Sequence, residues 1–339
     1  MIIAKTEKGF DIVSNPLRTG EYVVLYGQNG KRYVDRKSVV DYLLHMTEGN
    51  MKVGDVLGFN LPIEYSCDHR IECYRNGDCY ACTGHYQHPA NQRDYSENYQ
   101  FYRNHTSEEF VAALQVGIDK VKGKPKFDLS AMLEEARAEL EQLEPEVREW
   151  IEKSIMKQIA RYGLGILFRW FTIGDIPDGR FLECMVELAR RNPDVSFWSY
   201  TKKYHIVNSW LDRNGDLPDN LVIVFSHWMN KDGTYFPMHN RHNLPTSEFI
   251  PNGREDLLET VTWVCPCSDP NWIGTCETCE HRCGTLKKGQ SMALKEHSTA
   301  GTRKRDAEIR AKRKAMMEDM QNAVDILSRL AKKAKMNVA

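Results

Sequence analysis

Nine of the ten cysteines in this chain fall in two short, widely separated clusters. Thiolate is the soft ligand that zinc and iron–sulfur clusters select, and several thiolates have to converge to replace the solvent around a metal. The remaining cysteine, Cys184, lies among Leu and Met in a helical pattern, which is typical of a buried packing residue. Two cysteine-rich loops therefore constrain any fold that this chain can adopt.

The first cysteine site has the pattern Cys67-x5-Cys73-x5-Cys79-x2-Cys82. Two interpretations are open: zinc with mixed cysteine and histidine ligation, or a 4Fe-4S cluster held by three cysteines that leaves one iron open for a substrate or cofactor. A histidine in such a loop is more often a surface or supporting residue than a ligand, so the ligand set excludes those nearby. These are His69, His85 and His88.

The second cysteine site has the pattern Cys265-x10-Cys276-x2-Cys279-x3-Cys283. The last three thiols lie on one tight loop, and the more distant Cys265 completes a set of four. Cys267 is a fifth thiol that could replace Cys265. Four thiolates suit either a 4Fe-4S cluster or zinc, so the spacing predicts a metal without identifying it.

Composition limits the class of protein. The chain has 339 residues, of which 41% are hydrophobic, and a formal net charge of -1. This excludes a globally basic nucleic-acid-binding protein, although a local basic patch could still bind phosphates. No segment approaches the roughly 18–20 apolar residues of a membrane span, so we expect a cytoplasmic protein without membrane contact. A reducing compartment disfavours structural disulfides.

Hydrophobic patterning predicts three regions. Residues 1–55 are expected to form a small α+β appendage with a hairpin turn at 28–30 and a helix near Lys37–Met46. Residues 56–297 are expected to form the core, in which four short apolar runs alternate with helical or loop segments. The runs are ILFRWF, VSFWSY, LVIVFS and TVTWV. Because no GxGxxG motif follows any of them, we predict an α/β fold with a partial or complete (β/α) barrel rather than a Rossmann sheet.

Three residues near the predicted strand ends are candidates for catalysis, because active sites gather at the carboxyl ends of parallel strands. Asp175 could bind a cofactor amine or a substrate hydroxyl, or it could be the N-cap of the next helix. Lys202 could meet an anionic substrate, although surface lysines are usually solvated. Arg169 lies within an apolar run and needs a buried partner, for which Asp175 is the candidate. No hydrolytic or nucleotide-binding motif occurs.

The C-terminal region, residues 298–339, has a different character. Between Arg303 and Lys335 there are eleven Lys or Arg and five Asp or Glu, a net charge of +6. Apolar residues recur at helical spacing, which predicts an amphipathic basic helix. We expect this helix to pack on the body with a solvated basic face; the alternative is contact with nucleic-acid phosphates. The apolar residues are Ile309, Met316, Met320, Val324, Leu327 and Leu330.

The order of motifs from residue 56 to 297 resembles the phage gene product 88 family. The motifs are Cys79-Tyr80-Ala81, a strand ending at Gly174-Asp175, the run Phe197–Lys202, and the late array from Cys265-Pro266 to Cys283. The resemblance implies a phage-encoded protein that acts in the host cytoplasm.

The layout is also similar to radical S-adenosylmethionine enzymes. The resemblance implies an open-iron 4Fe-4S cluster on Cys67, Cys73 and Cys79 and an auxiliary cluster on the second cysteine site. The Cys-x3-Cys-x2-Cys motif of that superfamily is absent. We therefore expect an iron–sulfur protein, in its enzyme form a radical S-adenosylmethionine enzyme acting on an unidentified substrate. The alternative is a zinc-binding accessory protein that contacts nucleic acid or a host protein.

Overall fold

The computed structural model describes most of the chain. The described residues are 2–5, 11–14, 22–25, 44–47, 49, 53–54, 56–71, 73, 79–82, 84–122, 129–162, 165–230, 232–251, 253–269, 272, 274–276, 279, 281–295 and 302–338. The predicted hairpin turn at 28–30 and nearly all of the predicted helix at 37–46 lie outside these ranges. The last residue of that predicted helix, Met46, begins a strand instead.

A small antiparallel sheet is formed near the N-terminus by β1 (Ile2–Lys5), β2 (Asp11–Ser14) and β3 (Tyr22–Leu25). Each of these strands pairs with its neighbour in sequence, β1 with β2 and β2 with β3. These strands lie within residues 1–55, the region for which a small α+β appendage was predicted. No predicted site residue lies in them.

The main sheet has eight strands in the order β10-β11-β9-β8-β7-β6-β5-β4. Only β4, at one edge, is antiparallel to its neighbour. Among the described residues the two edge strands do not pair, so the sheet is open and a complete barrel is not confirmed. The strands are β4 (Met46–Thr47), β5 (Leu57–Phe59), β6 (Ile166–Trp170), β7 (Val195–Thr201), β8 (Leu221–His227), β9 (Thr246–Ile250), β10 (Trp263–Val264) and β11 (Ser291–Lys295).

Alternating side chains give the sheet two different faces. On β6 to β8, one set of alternate residues enters the main hydrophobic core, for example Phe168, Phe197 and Ile223. The intervening residues, including Trp198 and Val222, contact the cysteines of the second cysteine site. We call the first the helix face and the second the cysteine face.

Four helices supply the core of the helix face: α2 (Pro89–Asn104), α3 (Ser107–Lys122), α7 (Gly179–Arg191) and α8 (Tyr204–Asn214). A capping box decides where α3 begins. The hydroxyl of Thr106 accepts from the backbone N–H of Glu109 at 3.2 Å, and the Glu109 carboxylate accepts from the Thr106 N–H at 2.9 Å.

The C-terminal region forms α9 (Thr302–Val338), as predicted. Its second half packs against α4 (Leu129–Glu135), α5 (Arg137–Leu140) and α6 (Pro145–Tyr162), which starts at Pro145 in its first turn. Val324 and Leu327 are buried there and Leu330 is half-buried; the side chains of Ile309, Met316 and Met320 lie outside the described residues. None of the described helices combines the length and apolar character that a bilayer crossing requires.

Candidate metal and substrate site

The first cysteine site lies at the carboxyl edge of the sheet. After β5, the short helix α1 (Ile63–Ser66) ends at Cys67, whose backbone N–H donates to the Ile63 carbonyl at 3.1 Å. The chain after β6 approaches this turn closely at Gly174. A Cβ at Gly174 would lie 2.6 Å from the Leu61 carbonyl oxygen, and its φ of +91° also favours glycine. Two strand ends therefore meet at the start of the cysteine loop.

The other thiols of this loop follow in a compact turn. The Cys79 N–H donates to the Cys73 carbonyl and the Cys82 N–H to the Cys79 carbonyl, both at 2.9 Å. Cys67, Cys79 and Cys82 pack against a small cluster that contains Ile63, Ala81, Tyr95 and Ile173. Burial, followed by the nearby Asp175 carboxylate, raises the pKa of Cys67 well above its ordinary value, and the thiols of Cys79 and Cys73 add to this. Cys67, Cys73 and Cys79, three of the four predicted ligands, therefore lie near one another.

Asp175 has a structural role at this edge. Its Oδ1 accepts from the Thr201 hydroxyl at 2.5 Å and from the Ile176 N–H at 2.7 Å, and its Oδ2 accepts from the Lys202 N–H at 2.9 Å. The carboxylate therefore ties the end of β6 to the end of β7. It is not the N-cap of α7, because the side chain of Asp178 accepts from the Phe181 N–H at 3.0 Å. Burial raises the pKa of Asp175, against the effect of these donors.

The two cationic candidates lie apart from each other. The Lys202 ammonium is 5.4 Å from the centre of the Trp228 ring, at the carboxyl edge. Arg169 lies on the cysteine face, with its guanidinium carbon 5.4 Å from the centre of the Tyr200 ring. An Arg169–Asp175 ion pair stays a prediction.

The second cysteine site is built on the cysteine face. All five of its thiols line one small cavity of about 30 Å³, together with Trp198 and Trp263. The backbone fixes both ends of the loop: the Cys265 N–H donates to the Ala293 carbonyl in β11 at 2.8 Å, and Cys283 begins a short 3-10 helix, Cys283–Thr285. The sulfur atoms of Cys265 and Cys267 are 3.0 Å apart. Cys267 therefore lines the same cavity as the four predicted ligands.

A tyrosine from the sheet contacts this site directly. The Tyr200 hydroxyl donates to the Cys283 sulfur at 2.7 Å, and the Met292 sulfur is 3.4 Å from the same oxygen. Burial raises the pKa of Cys283 to about 12, although the Tyr200 hydrogen bond acts in the opposite direction. The pKa of Cys265 is also well above its ordinary value, because of its contact with Cys267 and its burial. Sequence analysis missed Tyr200; its position two residues after Trp198 on the same face was the available signal.

The donor chemistry of both cysteine sites fits a thiolate-bound metal group. Buried thiols with raised pKa values are neutral at pH 7 unless a cation is bound, and a bound metal supplies the charge that deprotonates them. None of the ten cysteines forms a disulfide in the structure. Cys184 is buried in α7, with its thiol 3.9 Å from the Ser107 carbonyl, as expected for a packing residue.

One of the three histidines near the first cysteine site has a described structural contact. The ring of His88 accepts from the Ala90 N–H at the start of α2, and the side chain of His85 lies outside the described residues. A different group was missed by sequence analysis: the ligand atoms of His45, Asp94 and Glu97 lie within 4.8 Å of one another. His45 Nε2 is 2.7 Å from Glu97 Oε2, as in an ion pair between a histidine and a helix carboxylate.

A larger cavity of about 800 Å³ opens beside the first cysteine site. Its lining includes Lys202, at the end of β7, and Arg70, from the first cysteine loop. The start of α8 forms another wall. Among the lining residues only Lys202 was singled out from the sequence, because the others come from segments that meet only after folding.

The fold and these sites define a mixed α/β protein with two cysteine-rich sites on an open, mostly parallel sheet. The family model described as gene product 88 matches residues 119–285. This match supports the resemblance to the phage gene product 88 family, and it contains the second cysteine site but not the first. No curated protein and no solved structure matches the chain.

Proposed function

We propose that this chain is an iron–sulfur protein whose second cysteine site holds a 4Fe-4S cluster. The observation that carries the proposal is that five thiols, from segments before and after the loop at 268–275, line a single cavity. The surrounding Trp198, Trp263 and Leu167 exclude water and lower the local dielectric, which is one of the features that set the potential of such clusters.

Sulfur spacing favours a multinuclear cluster over a single zinc ion. Four thiolates at the Zn–S distance of about 2.3 Å have sulfur atoms roughly 3.8 Å apart in a tetrahedron. Among the described residues, only the His45 group brings three ligand atoms within 4.8 Å of one another. No three cysteine sulfurs of the described residues do so, although those of Cys265 and Cys267 form a close pair at 3.0 Å. A cluster of several irons spreads its ligands over a larger volume than one ion does.

The first cysteine site is proposed to hold a second cluster on Cys67, Cys73 and Cys79, with one iron open. Neighbouring strands follow one another along the sheet from β5 to β9, which supports a partial (β/α) barrel with its mouth at this edge. When bound and reduced, an open-iron cluster supplies one electron to a coordinated cofactor such as S-adenosylmethionine. The chain would hold the start of the loop through the Asp175 backbone N–H, which donates to the Ser66 hydroxyl at 3.1 Å, and would present Lys202 and the 800 Å³ cavity next to it.

Metal analysis of anaerobically purified protein tests the first part of the proposal. We expect brown protein with broad visible absorption and about four iron atoms for each occupied site. Replacing Cys276, Cys279 and Cys283 with Ser removes the iron of the second cysteine site, whereas Cys184→Ser is the control and keeps all of it. Colourless wild-type protein with stoichiometric zinc would contradict the proposal and support the zinc alternative.

Reductive cleavage of S-adenosylmethionine tests the enzyme form. Dithionite-reduced, reconstituted protein is incubated with S-adenosylmethionine, and 5′-deoxyadenosine is measured. We expect product from the wild type, none from Cys79→Ala, and product again from Cys82→Ala, because only three thiols are assigned to the open-iron cluster. Intact protein that contains the full iron content but makes no 5′-deoxyadenosine would remove the enzyme form and leave the metal proposal standing.

A second candidate function is contact with nucleic-acid phosphates through α9. Lys312 and Lys314 are exposed, and the described residues through which α9 packs on the helical cluster lie in its second half. This basic stripe is compatible with non-specific phosphate binding, which weakens steeply as salt increases. Binding of a labelled 20-base-pair duplex that is lost in Lys312→Glu/Lys314→Glu, but kept in Lys288→Glu, would support it.

A further inference from the structure

We propose that the 800 Å³ cavity beside the first cysteine site binds a small molecule that carries an oxyanion, phosphate or carboxylate. The inference rests on the proposed function in one respect only: it names the class of substrate that the metal site would act on. The volume lies within the range of about 300–1,000 Å³ that is typical of small-molecule sites.

Charge selects the oxyanion. Arg70, Lys202 and Arg241 line the cavity, and no acidic residue occurs among its described lining residues. A carboxylate holds each of the two guanidinium groups: Asp68 accepts from Arg70 at 2.9 Å, and Asp212 accepts from Arg241. Such a carboxylate fixes a guanidinium group and leaves further N–H donors for a ligand.

The start of α8 adds to this selection. Tyr204 and His205, its first two residues, line the cavity, and the first turn of α8 contains no acidic side chain. Backbone N–H groups at the start of a helix have no partner within the helix and carry partial positive charge. Together with the three cationic side chains, they give the cavity a wall that favours anions.

The cavity also adjoins the first cysteine site. Lys202 is close enough to Cys67 to affect the pKa of that thiol. Cys73 is close enough to Tyr204 to affect the pKa of the tyrosine. Arg70 lies three residues after Cys67 in the same loop. A molecule held by these cations would therefore lie next to the thiols assigned to the open-iron cluster. Phe236 supplies an apolar wall on the other side.

Calorimetry with the full-length, anaerobically purified protein tests the inference. The probes are ribose 5-phosphate, tartrate and neutral ribose. Binding of ribose 5-phosphate alone identifies phosphate as the oxyanion, binding of tartrate alone identifies carboxylate, and binding of both shows that any oxyanion is accepted. No binding of either at millimolar concentration, or equal binding of ribose, would overturn the proposal.

Variants locate the binding. Lys202→Met is expected to weaken the bound oxyanion about tenfold or more, and Arg241→Gln to have a similar effect. Lys288→Met is the matched control, because Lys288 is an exposed lysine that pairs with Asp216, and affinity should stay within twofold. If Lys202→Met fails to fold by circular dichroism, the exposed Arg241→Gln decides. Equal effects of the Lys202 and Lys288 variants would contradict the assignment.

Iron content separates the two proposals. The cavity variants should retain the iron content of the wild type, whereas serine variants of the second cysteine site should lose iron and still bind the probe. A colourless zinc protein that binds ribose 5-phosphate through Lys202 would contradict the iron–sulfur proposal and support the oxyanion site. An iron-loaded protein that binds neither oxyanion would support the iron–sulfur proposal and contradict the oxyanion site.

Discussion

Replacing Asp175 with Ala should destabilise the protein strongly, even though its position suggests a functional residue. The carboxylate accepts hydrogen bonds from Ile176, Thr201 and Lys202, and all three donors are left without this acceptor in the Ala variant. Each unsatisfied buried donor costs about 1–3 kcal/mol. Because the carboxylate itself is costly to bury, part of this loss is offset. We expect a loss of about 3–5 kcal/mol in the free energy of unfolding.

A conservative variant makes this prediction sharper. Asp175→Asn keeps one acceptor oxygen for Thr201 and Ile176, but its NH2 group would face the Lys202 N–H. We therefore expect a loss of about 1–3 kcal/mol, smaller than that of the Ala variant. Urea unfolding followed by tryptophan fluorescence gives both values, on proteins in the same metal state. Asp232→Ala, at an exposed turn, is the control. If both Asp175 variants lose less than 1 kcal/mol, the structural role is wrong and a ligand-binding role gains support.

Three further predictions concern other parts of the molecule. Tyr200→Phe removes the donor to Cys283, which should lower the reduction potential of the cluster proposed for the second cysteine site by about 40 mV, equivalent to about 1 kcal/mol for one electron; electrochemistry that finds no shift would rule out this contact. Burial lowers the pKa of His105 in the folded protein below 6.5, so just below pH 6.5 this histidine is protonated in the unfolded state but not in the folded state. The free energy of unfolding should therefore fall as the pH decreases from 7 towards 5, and it should fall less in His105→Gln. Leu327→Ala should cost about 2–5 kcal/mol, because Leu327 is fully buried, whereas the exposed Met336→Ala should be neutral.

Strand prediction succeeded where apolar runs were long and their neighbours were helical. The runs at 166–171, 195–200 and 221–226 correspond to β6, β7 and β8, while the run at 260–264 was shortened to β10. The strands β9 and β11 were missed. TSEFI and SMALK carry polar residues because they lie near the edge of the sheet, where half-buried positions tolerate them. Their order, with β11 between β9 and β10, depends on long-range pairing that local patterns do not encode.

The site was predictable to the extent that its residues lie close together in sequence. Thiols two or three residues apart must converge, so the second cysteine site could be anticipated from spacing. The hydrogen bonds from Thr201 and Lys202 to Asp175 could not, because they join the ends of two strands.

The first cysteine site lies at the carboxyl edge of the sheet and the second lies on its cysteine face. These positions constrain how the two sites could work together. Tyr200 bonds Cys283, and the Arg169 guanidinium lies over the Tyr200 ring. Arg169 also affects the pKa of Tyr86, which packs with Cys67, Cys79 and Cys82 of the first site. Tyr200 and Arg169 therefore connect the surroundings of the two sites on the cysteine face. If both sites hold the proposed clusters, a change of charge at one would act on the other through these two side chains.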